Sequence, residues 1–192
     1  RSSDLGLLYA ESDSQLTIMP TGDPTFLHGD FNNQPVITFL KQQAKPIAYV
    51  PTNWQETALG EGWSWDDYQD YYSAERSGFP LYGNTVTLTG SKVTTPSYFL
   101  NHVLDLTKNT GLPQRPIQRD LYSNSFVVTA YNLVNRNTYI PFITSDSLSV
   151  ALLMDTLHRN IEIIQPAGAP QSHAWQVIKS QPTDSLLKIM MH

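Results

Sequence analysis

An apolar strand, an apolar helix and a second apolar strand follow one another near the N-terminus, and this order constrains the fold more than any other feature. Residues 15–19 carry the apolar and β-branched side chains of a strand, which a turn-forming stretch at 20–24 closes. Between Pro35 and Pro46, apolar residues recur at helical spacing on one face. Residues 47–50 form a short apolar run typical of a buried strand. The pattern predicts a right-handed parallel crossover.

Strand and helix patterns return in the C-terminal part of the chain. Residues 139–143 predict a strand, and the proline within it favours an edge position or a strand start over a central position. Capping side chains then precede a predicted helix at 148–159, which is apolar on nearly all sides and therefore expected to be buried. Asn160 is expected to end this helix, and residues 161–164 predict another strand.

The middle of the chain has a different texture. It is rich in Thr, Val, Tyr, Asn and Gly, with alternating apolar runs at 85–89 and 126–130. We therefore predict an α/β layer domain formed by residues 1–79 and 138–192, interrupted by a small β-rich inserted domain at 80–137.

The aromatic block at 63–72 predicts a short helix, since Ser64 is followed by Asp67 three residues later. Asp66 and Asp67 are adjacent, so they point in different directions and are better explained by favourable charge at a helix N-terminus than as paired catalytic carboxylates. Aromatic side chains at such spacings usually belong to a core, and the alternative is a stacking platform for a sugar. The residues concerned are Trp63, Trp65, Tyr68, Tyr71 and Tyr72.

Composition excludes several functions. Apolar residues make up 40% of the chain and charged residues 15%, which is enough apolar surface for a folded core. The net charge is -5 and the basic residues are scattered, so nucleic acid is not a predicted partner. The absence of cysteine removes thiolate chemistry and Cys-ligated metals. The five histidines lie far apart and the glycine of 22–24 is alone, so neither a metal nor a phosphate-bearing cofactor is predicted.

One short pattern has a catalytic form. Ser185 and Lys188 fit the Ser-x-x-Lys of serine acyl enzymes, in which one helical turn brings the amine beside the nucleophile. Such enzymes also need a Ser-x-Asn element and a Lys-Thr-Gly strand, and the sequence contains neither. Tyr-x-Asn variants at 82–84 and 122–124 lie upstream in turn-like sequence. We interpret Ser185 as the ordinary start of a helix over residues 185–192.

Several blocks in the same order resemble one protein family, the class C low-molecular-mass penicillin-binding proteins, which are serine D-alanyl-D-alanine carboxypeptidases and endopeptidases. That family carries a Gly-Asp-Pro-Thr element after an early strand and a Trp-x-Trp-Asp-Asp block before an asparagine-bearing β region. The blocks in this chain are residues 21–25, 62–68, 71–72, 81–84 and 182–190.

The resemblance implies why catalytic elements are missing. In the family, a long insertion separates the Ser-x-x-Lys from the Ser-x-Asn, and this chain resembles that insertion: a Rossmann-like α/β domain carrying a small β domain. The Ser-x-Asn would then come just beyond His192. On this interpretation no catalytic, cofactor or metal residue lies in this chain, and the glycine fingerprint of nucleotide binding is absent.

The parent enzyme implied by the resemblance works outside the cytoplasmic membrane on peptidoglycan stem peptides. The partners expected for this segment are the catalytic domain of the same chain and, through it, peptidoglycan. A free-standing cell-wall glycan-binding module that uses the aromatic block is the alternative. A third hypothesis is a small acyl enzyme that uses Ser185 and Lys188 and receives its other catalytic groups from a partner chain.

Overall fold

The computed structural model describes residues 5–52, 54–90, 92–106, 116–129, 137–171 and 174–191. Two predicted element ends, Ala130 and His192, lie outside these ranges. In chain order the strands and α-helices are β1 (Gly6–Glu11), β2 (Leu16–Pro20), α1 (Pro35–Gln42), β3 (Ile47–Tyr49), β4 (Thr85–Thr89), β5 (Lys92–Thr95), β6 (Val103–Asp105), β7 (Ile117–Arg119), β8 (Phe126–Val128), β9 (Asn137–Pro141), α2 (Asp146–Leu157), β10 (Ile161–Ile163), β11 (Gln176–Lys179) and α3 (Thr183–Met190).

The chain divides into two compact units. The first comprises Arg1–Gln55, Ser77–Gly83 and Ser145–His192, and the second comprises Glu56–Arg76 and Asn84–Thr144. These ranges differ from the predicted boundaries at 79/80 and 137/138, because the aromatic block and strand β9 fall in the second unit. The physical reason is pairing: β9 hydrogen-bonds along β4, and a strand belongs with the sheet that satisfies its backbone.

A five-stranded sheet organises the first unit, in the order β10-β3-β2-β1-β11. Strand β3 pairs in parallel with both β2 and β10, so the parallel pairing predicted across α1 is confirmed. Strand β1 runs antiparallel to β2 and to β11. The sheet is therefore mixed, and the unit is a mixed α/β structure. Neither β1 nor β11 was predicted from the sequence.

Helices α1 and α2 have the N-terminal signals that the sequence predicted. Helix α1 begins at Pro35 and buries Val36, Ile37 and Leu40, as its apolar face predicts. The Ser145 side chain caps α2 by accepting a hydrogen bond from the backbone N–H of Leu148. The prediction that Asn160 ends α2 was wrong.

Helix α2 ends earlier, at Leu157, because His158 adopts the left-handed conformation at φ 53°. The chain then turns into β10.

Aromatic packing fixes the core of the first unit around Tyr49. Its ring lies 5.8 Å from that of Phe79, which in turn lies 5.6 Å from the ring of Phe26. The Tyr49 hydroxyl donates a 2.5 Å hydrogen bond to Oδ1 of Asp146 at the start of α2. Burial, followed by this hydrogen bond and the negative charge of Asp146, raises the pKa of Tyr49 far above its ordinary value.

The described part of the second unit contains small sheets in the orders β5-β4-β9 and β6-β8-β7. Strand β9 is an edge strand, as its proline predicted. Phe99 is fully buried, and its ring centroid lies 5.7 Å from that of Phe126 on β8 and 5.3 Å from that of Phe142, the residue after β9. Small sheets therefore occur in the described part of this region, and the inserted β-rich domain at 80–137 stays a prediction.

Candidate functional site

The Gly-Asp-Pro-Thr loop after β2 is built around a buried carboxylate. Asp23 is 2% exposed and accepts hydrogen bonds from the backbone N–H of Thr25 at 2.9 Å and from Oγ1 of Thr25 at 2.7 Å. The hydroxyl of Ser180 donates to the other carboxylate oxygen. Gly22 permits the preceding turn with φ +79°, and its N–H donates to the carbonyl of Gly78 at 2.9 Å.

These hydrogen bonds connect the loop to the segment between β11 and α3. Asp23 holds Ser180, which lies between β11 and α3, against the loop that follows β2. Since the carboxylate oxygens of Asp23 are occupied by the chain's own donors, Asp23 serves the fold. The motif that carries much of the family resemblance therefore fixes the position from which α3 begins.

The aromatic block is mostly exposed, so the interpretation of these side chains as core was wrong. Trp65 is 71% exposed, Tyr71 69% and Tyr72 59%. The predicted helix is present only as 3₁₀ turns at Trp65–Asp67 and Tyr71–Ser73, and the side chain of Ser64 makes no capping hydrogen bond. Helical spacing did not bury these rings because no helix of sufficient length forms there.

Tyr68 is the member of the block that packs inward, against the buried Arg119. The Arg119 guanidinium carbon lies 4.9 Å from the centre of the Tyr68 ring, a cation–π contact. The guanidinium donates to the backbone carbonyls of Tyr68, Asp120 and Ser123, and the Arg119 N–H donates to Oε1 of Gln69 at 2.9 Å. Burial lowers the pKa of Arg119, and the charge of Glu75 opposes that shift. These contacts tie the block to β7.

Both Tyr-x-Asn triplets have structural partners. Asn84 is 3% exposed, and its amide donates to the carbonyl of Glu75 at 2.8 Å. The side-chain amide of Asn124 bonds both the N–H and the C=O of Ile143, at 2.7 and 2.9 Å. Glu75 in turn accepts from the N–H and the hydroxyl of Thr144. The two asparagines therefore organise backbone in the second unit.

Ser185 and Lys188 lie on α3 within its first two turns. Ser185 is half-buried and Lys188 is exposed. The Ser185 N–H donates to the carbonyl of Pro182 at 2.9 Å, as expected at a helix start. Neither residue belongs to the described lining of the two cavities that follow. That this chain has no catalytic residue stays a prediction.

The larger of those cavities, about 600 Å³, lies in the second unit beside the aromatic block. Tyr71 and Tyr139 form part of its wall with Ile117, and the polar side chains Gln69 and Asn137 line it as well. Sequence analysis singled out Tyr71 but missed the others, because β7 and β9 are distant from the block in sequence and only the folded chain brings them to the same cavity. A second cavity, about 310 Å³, lies in the first unit around Ser180 and Pro182.

Two further findings concern the described residues alone. They contain no cluster of three or more His, Asp or Glu side chains able to hold a metal ion. None of their helices combines the length and the apolar character that crossing a bilayer requires.

Comparison with solved structures gives a likeness over nearly the whole chain. The crystal structure of penicillin binding protein 4 (dacB) from Haemophilus influenzae superposes with a TM-score of 0.62 at 17% sequence identity. The match covers 98% of this chain and 49% of that one, so the chain spans about half the length of the protein it resembles. At this identity the likeness shows the fold. No protein-family model matches the sequence. No curated protein matches it at a significant level.

Proposed function

We propose that this chain is a non-catalytic insertion of a serine-type D-alanyl-D-alanine carboxypeptidase or endopeptidase that acts in peptidoglycan maturation. The observation that carries the proposal is the fold likeness to penicillin binding protein 4, which extends over 98% of this chain and only 49% of that protein. A chain that accounts for half of such a protein leaves room for catalytic elements elsewhere. The motif resemblance to class C penicillin-binding proteins supports the same family.

The position of the motif residues supports an insertion rather than a catalytic half. Asp23 is occupied by Thr25 and Ser180, and Asn84 by the carbonyl of Glu75. A serine acyl enzyme needs its nucleophile, an amine and donors for the tetrahedral oxygen to converge on one point. Ser185 and Lys188 supply at most two of these groups and lie outside both cavities.

We assign the insertion to the region between the Ser-x-x-Lys and Ser-x-Asn elements of the parent enzyme. On this proposal the first unit is a Rossmann-like α/β domain and the second is a small β-rich domain inserted into it. The parent acts in the periplasm or cell envelope on stem peptides, and the insertion shapes access of substrate to the catalytic domain of the same polypeptide. No cofactor is required.

Labelling with a fluorescent penicillin tests the proposal. The 192-residue chain should show no covalent fluorescence on a denaturing gel, and Ser185→Ala should behave identically. A polypeptide extended at both ends to include the flanking coding sequence should be labelled, and prior treatment with unlabelled penicillin should prevent this. Labelling of the 192-residue chain that is lost in Ser185→Ala would overturn the proposal.

The exposed aromatic block favours a second candidate, a cell-wall glycan-binding module. Trp65 and Trp63 are 71% and 41% exposed, and exposed apolar side chains in one stretch mark binding surfaces. Sedimentation with purified peptidoglycan tests whether Trp63 and Trp65 carry wall binding. Loss of co-sedimentation in Trp63→Ala and Trp65→Ala, without loss of folding by circular dichroism, would favour the module.

A further inference from the structure

The cavity beside the aromatic block combines features that point to a ligand. Its volume of about 600 Å³ is within the range of small-molecule sites, roughly 300 to 1,000 Å³. All of its described lining comes from the second unit: residues 69–71 at the start of the second 3₁₀ turn, residues 116–117 at the start of β7, and residues 137–140 of β9. Regular strands on two sides give the site a supported wall rather than a loop surface.

Two tyrosine rings at the cavity remain open to solvent. Tyr71 is 69% exposed and Tyr139 is 47% exposed, although Ile117 on the same wall is buried. Tyrosine rings offer a broad, rigid and partly apolar surface with a polar tip. The face of a pyranose carries C–H groups and is apolar, whereas its edge carries hydroxyl groups and is polar. A tyrosine ring can therefore stack on the face of the sugar.

Two amide side chains at the cavity can add hydrogen bonds to the polar edge of a sugar. Gln69 uses its Oε1 to accept from the Arg119 N–H, and Asn137 uses its Oδ1 to accept from the Thr89 hydroxyl. In each amide the oxygen is held by a neighbour, which orients the NH₂ group as a donor. Amide donors are suited to the hydroxyl and acetamido oxygens of a sugar.

Asp70 is a further polar side chain of the described lining. A carboxylate accepts hydrogen bonds from hydroxyl groups, so Asp70 can accept where the amides donate. The described side chains therefore suit a saccharide, which carries both hydroxyl donors and oxygen acceptors.

We infer that this cavity is a binding subsite for an N-acetylhexosamine glycan, with Tyr71 and Tyr139 as the stacking surfaces and Gln69 and Asn137 as hydrogen-bond donors. The choice of an N-acetylated sugar rests on the proposed function, because peptidoglycan strands consist of N-acetylhexosamines. The site would bind the glycan strand rather than a stem peptide.

Isothermal titration calorimetry of the 192-residue chain with a tetramer of N-acetylglucosamine tests the inference. We expect saturable binding, and association constants at least about tenfold lower in Tyr71→Ala and in Tyr139→Ala because each removes a stacking ring. Tyr139→Phe, which keeps the ring, should retain most of the binding. Tyr122→Ala is the matched control, since Tyr122 is 87% exposed, belongs to the same unit and does not line the cavity.

Several results would overturn the inference. These are absence of binding to the tetramer, equal weakening by Tyr122→Ala, or binding of a sugar-free stem peptide in preference to the glycan. Penicillin labelling of the extended polypeptide reports on the proposed function separately. Labelling without glycan binding would refute the subsite and leave the proposed function standing, whereas tyrosine-dependent glycan binding without labelling would refute the proposed function and retain the saccharide site.

Discussion

Asp23 illustrates, at the scale of single residues, how a motif can belong to a family of enzymes and still serve the fold. Its carboxylate is buried and accepts from three groups, two of Thr25 and one of Ser180. A buried acceptor of this kind leaves donors unsatisfied when it is removed, and that cost exceeds the net gain of forming the bonds. Substitution of Asp23 should therefore change the free energy of unfolding rather than any catalytic activity.

Replacing Asp23 with Ala should lower the free energy of unfolding by about 2 to 4 kcal/mol, because the buried N–H of Thr25 and the Ser180 hydroxyl lose their acceptor. Asp23→Asn, which keeps one acceptor oxygen and the same shape, should cost clearly less. Urea denaturation of the three proteins measures both differences. Equal stability of Asp23→Ala and the unchanged protein would contradict the structural role of the Asp23 hydrogen bonds.

The ionisation of Tyr49 makes the stability of the fold depend on pH. Its folded-state pKa lies above the ordinary value of 10.0, chiefly because of burial and secondarily because of Asp146. The folded state thus holds this proton more tightly than the unfolded chain does. The stabilising contribution is complete below about pH 10, where both states are protonated, and it declines as the pH rises above the unfolded pKa.

The stability of the protein should therefore fall as the pH rises above about 10, and Tyr49→Phe should make that fall shallower. Near neutral pH the free energy of unfolding of the same variant should be lower by about 1 kcal/mol, because the hydrogen bond to Asp146 is lost. Denaturant titrations at several pH values measure both effects. The control is Tyr122→Phe, which should follow the unchanged protein because the Tyr122 side chain is 87% exposed. An alkaline decline of equal slope in Tyr49→Phe would contradict the assignment.

The end of helix α2 shows what local sequence can and cannot specify at the scale of elements. His158, not Asn160, takes the left-handed conformation after the last helical residue, at φ 53°. A side chain with a Cβ is strained there, and glycine is the residue that helices favour at this position. His158 is exposed, so a substitution changes little besides the backbone preference.

His158→Gly should raise the free energy of unfolding by about 0.5 to 1 kcal/mol and the melting temperature by a few degrees, because it relieves the left-handed strain. Differential scanning calorimetry measures the shift. His158→Ala provides the control: it keeps a Cβ and should give no such gain. A gain in the alanine variant equal to that in glycine would show that removal of the imidazole, and not the backbone, is responsible.

Elements with strong local patterns were predictable, and those defined by distant partners were not. The apolar periodicity of α1 between two prolines and the capped start of α2 specify both helices locally. Strand β11, in contrast, has half-buried and exposed residues only, and it exists because it pairs with β1 more than 160 residues earlier in the chain. No local periodicity reveals such pairing.

The same distinction applies to the candidate site. Tyr71 drew attention by its place in an aromatic block, whereas Tyr139 lies on β9 and reaches the same cavity through the fold. The block was interpreted as core from its spacing, yet its 3₁₀ turns leave Trp65 and Tyr72 exposed. Spacing predicts burial only where a regular helix forms.

At the scale of the whole molecule, a mixed α/β unit and a β-rich unit together match half of a penicillin binding protein in fold. We propose that this chain supplies structure and wall contacts and that the remaining polypeptide of the parent enzyme carries out the acyl-enzyme chemistry. The proposal therefore depends on where in the parent enzyme the reactive serine lies.

Peptide mapping by mass spectrometry locates that serine directly after the extended polypeptide has reacted with penicillin. We expect a penicilloyl adduct on a single serine outside residues 1–192, with every serine-containing peptide of this chain, including the one with Ser185, at its unmodified mass. An adduct on Ser185 would refute the proposal that this chain is non-catalytic.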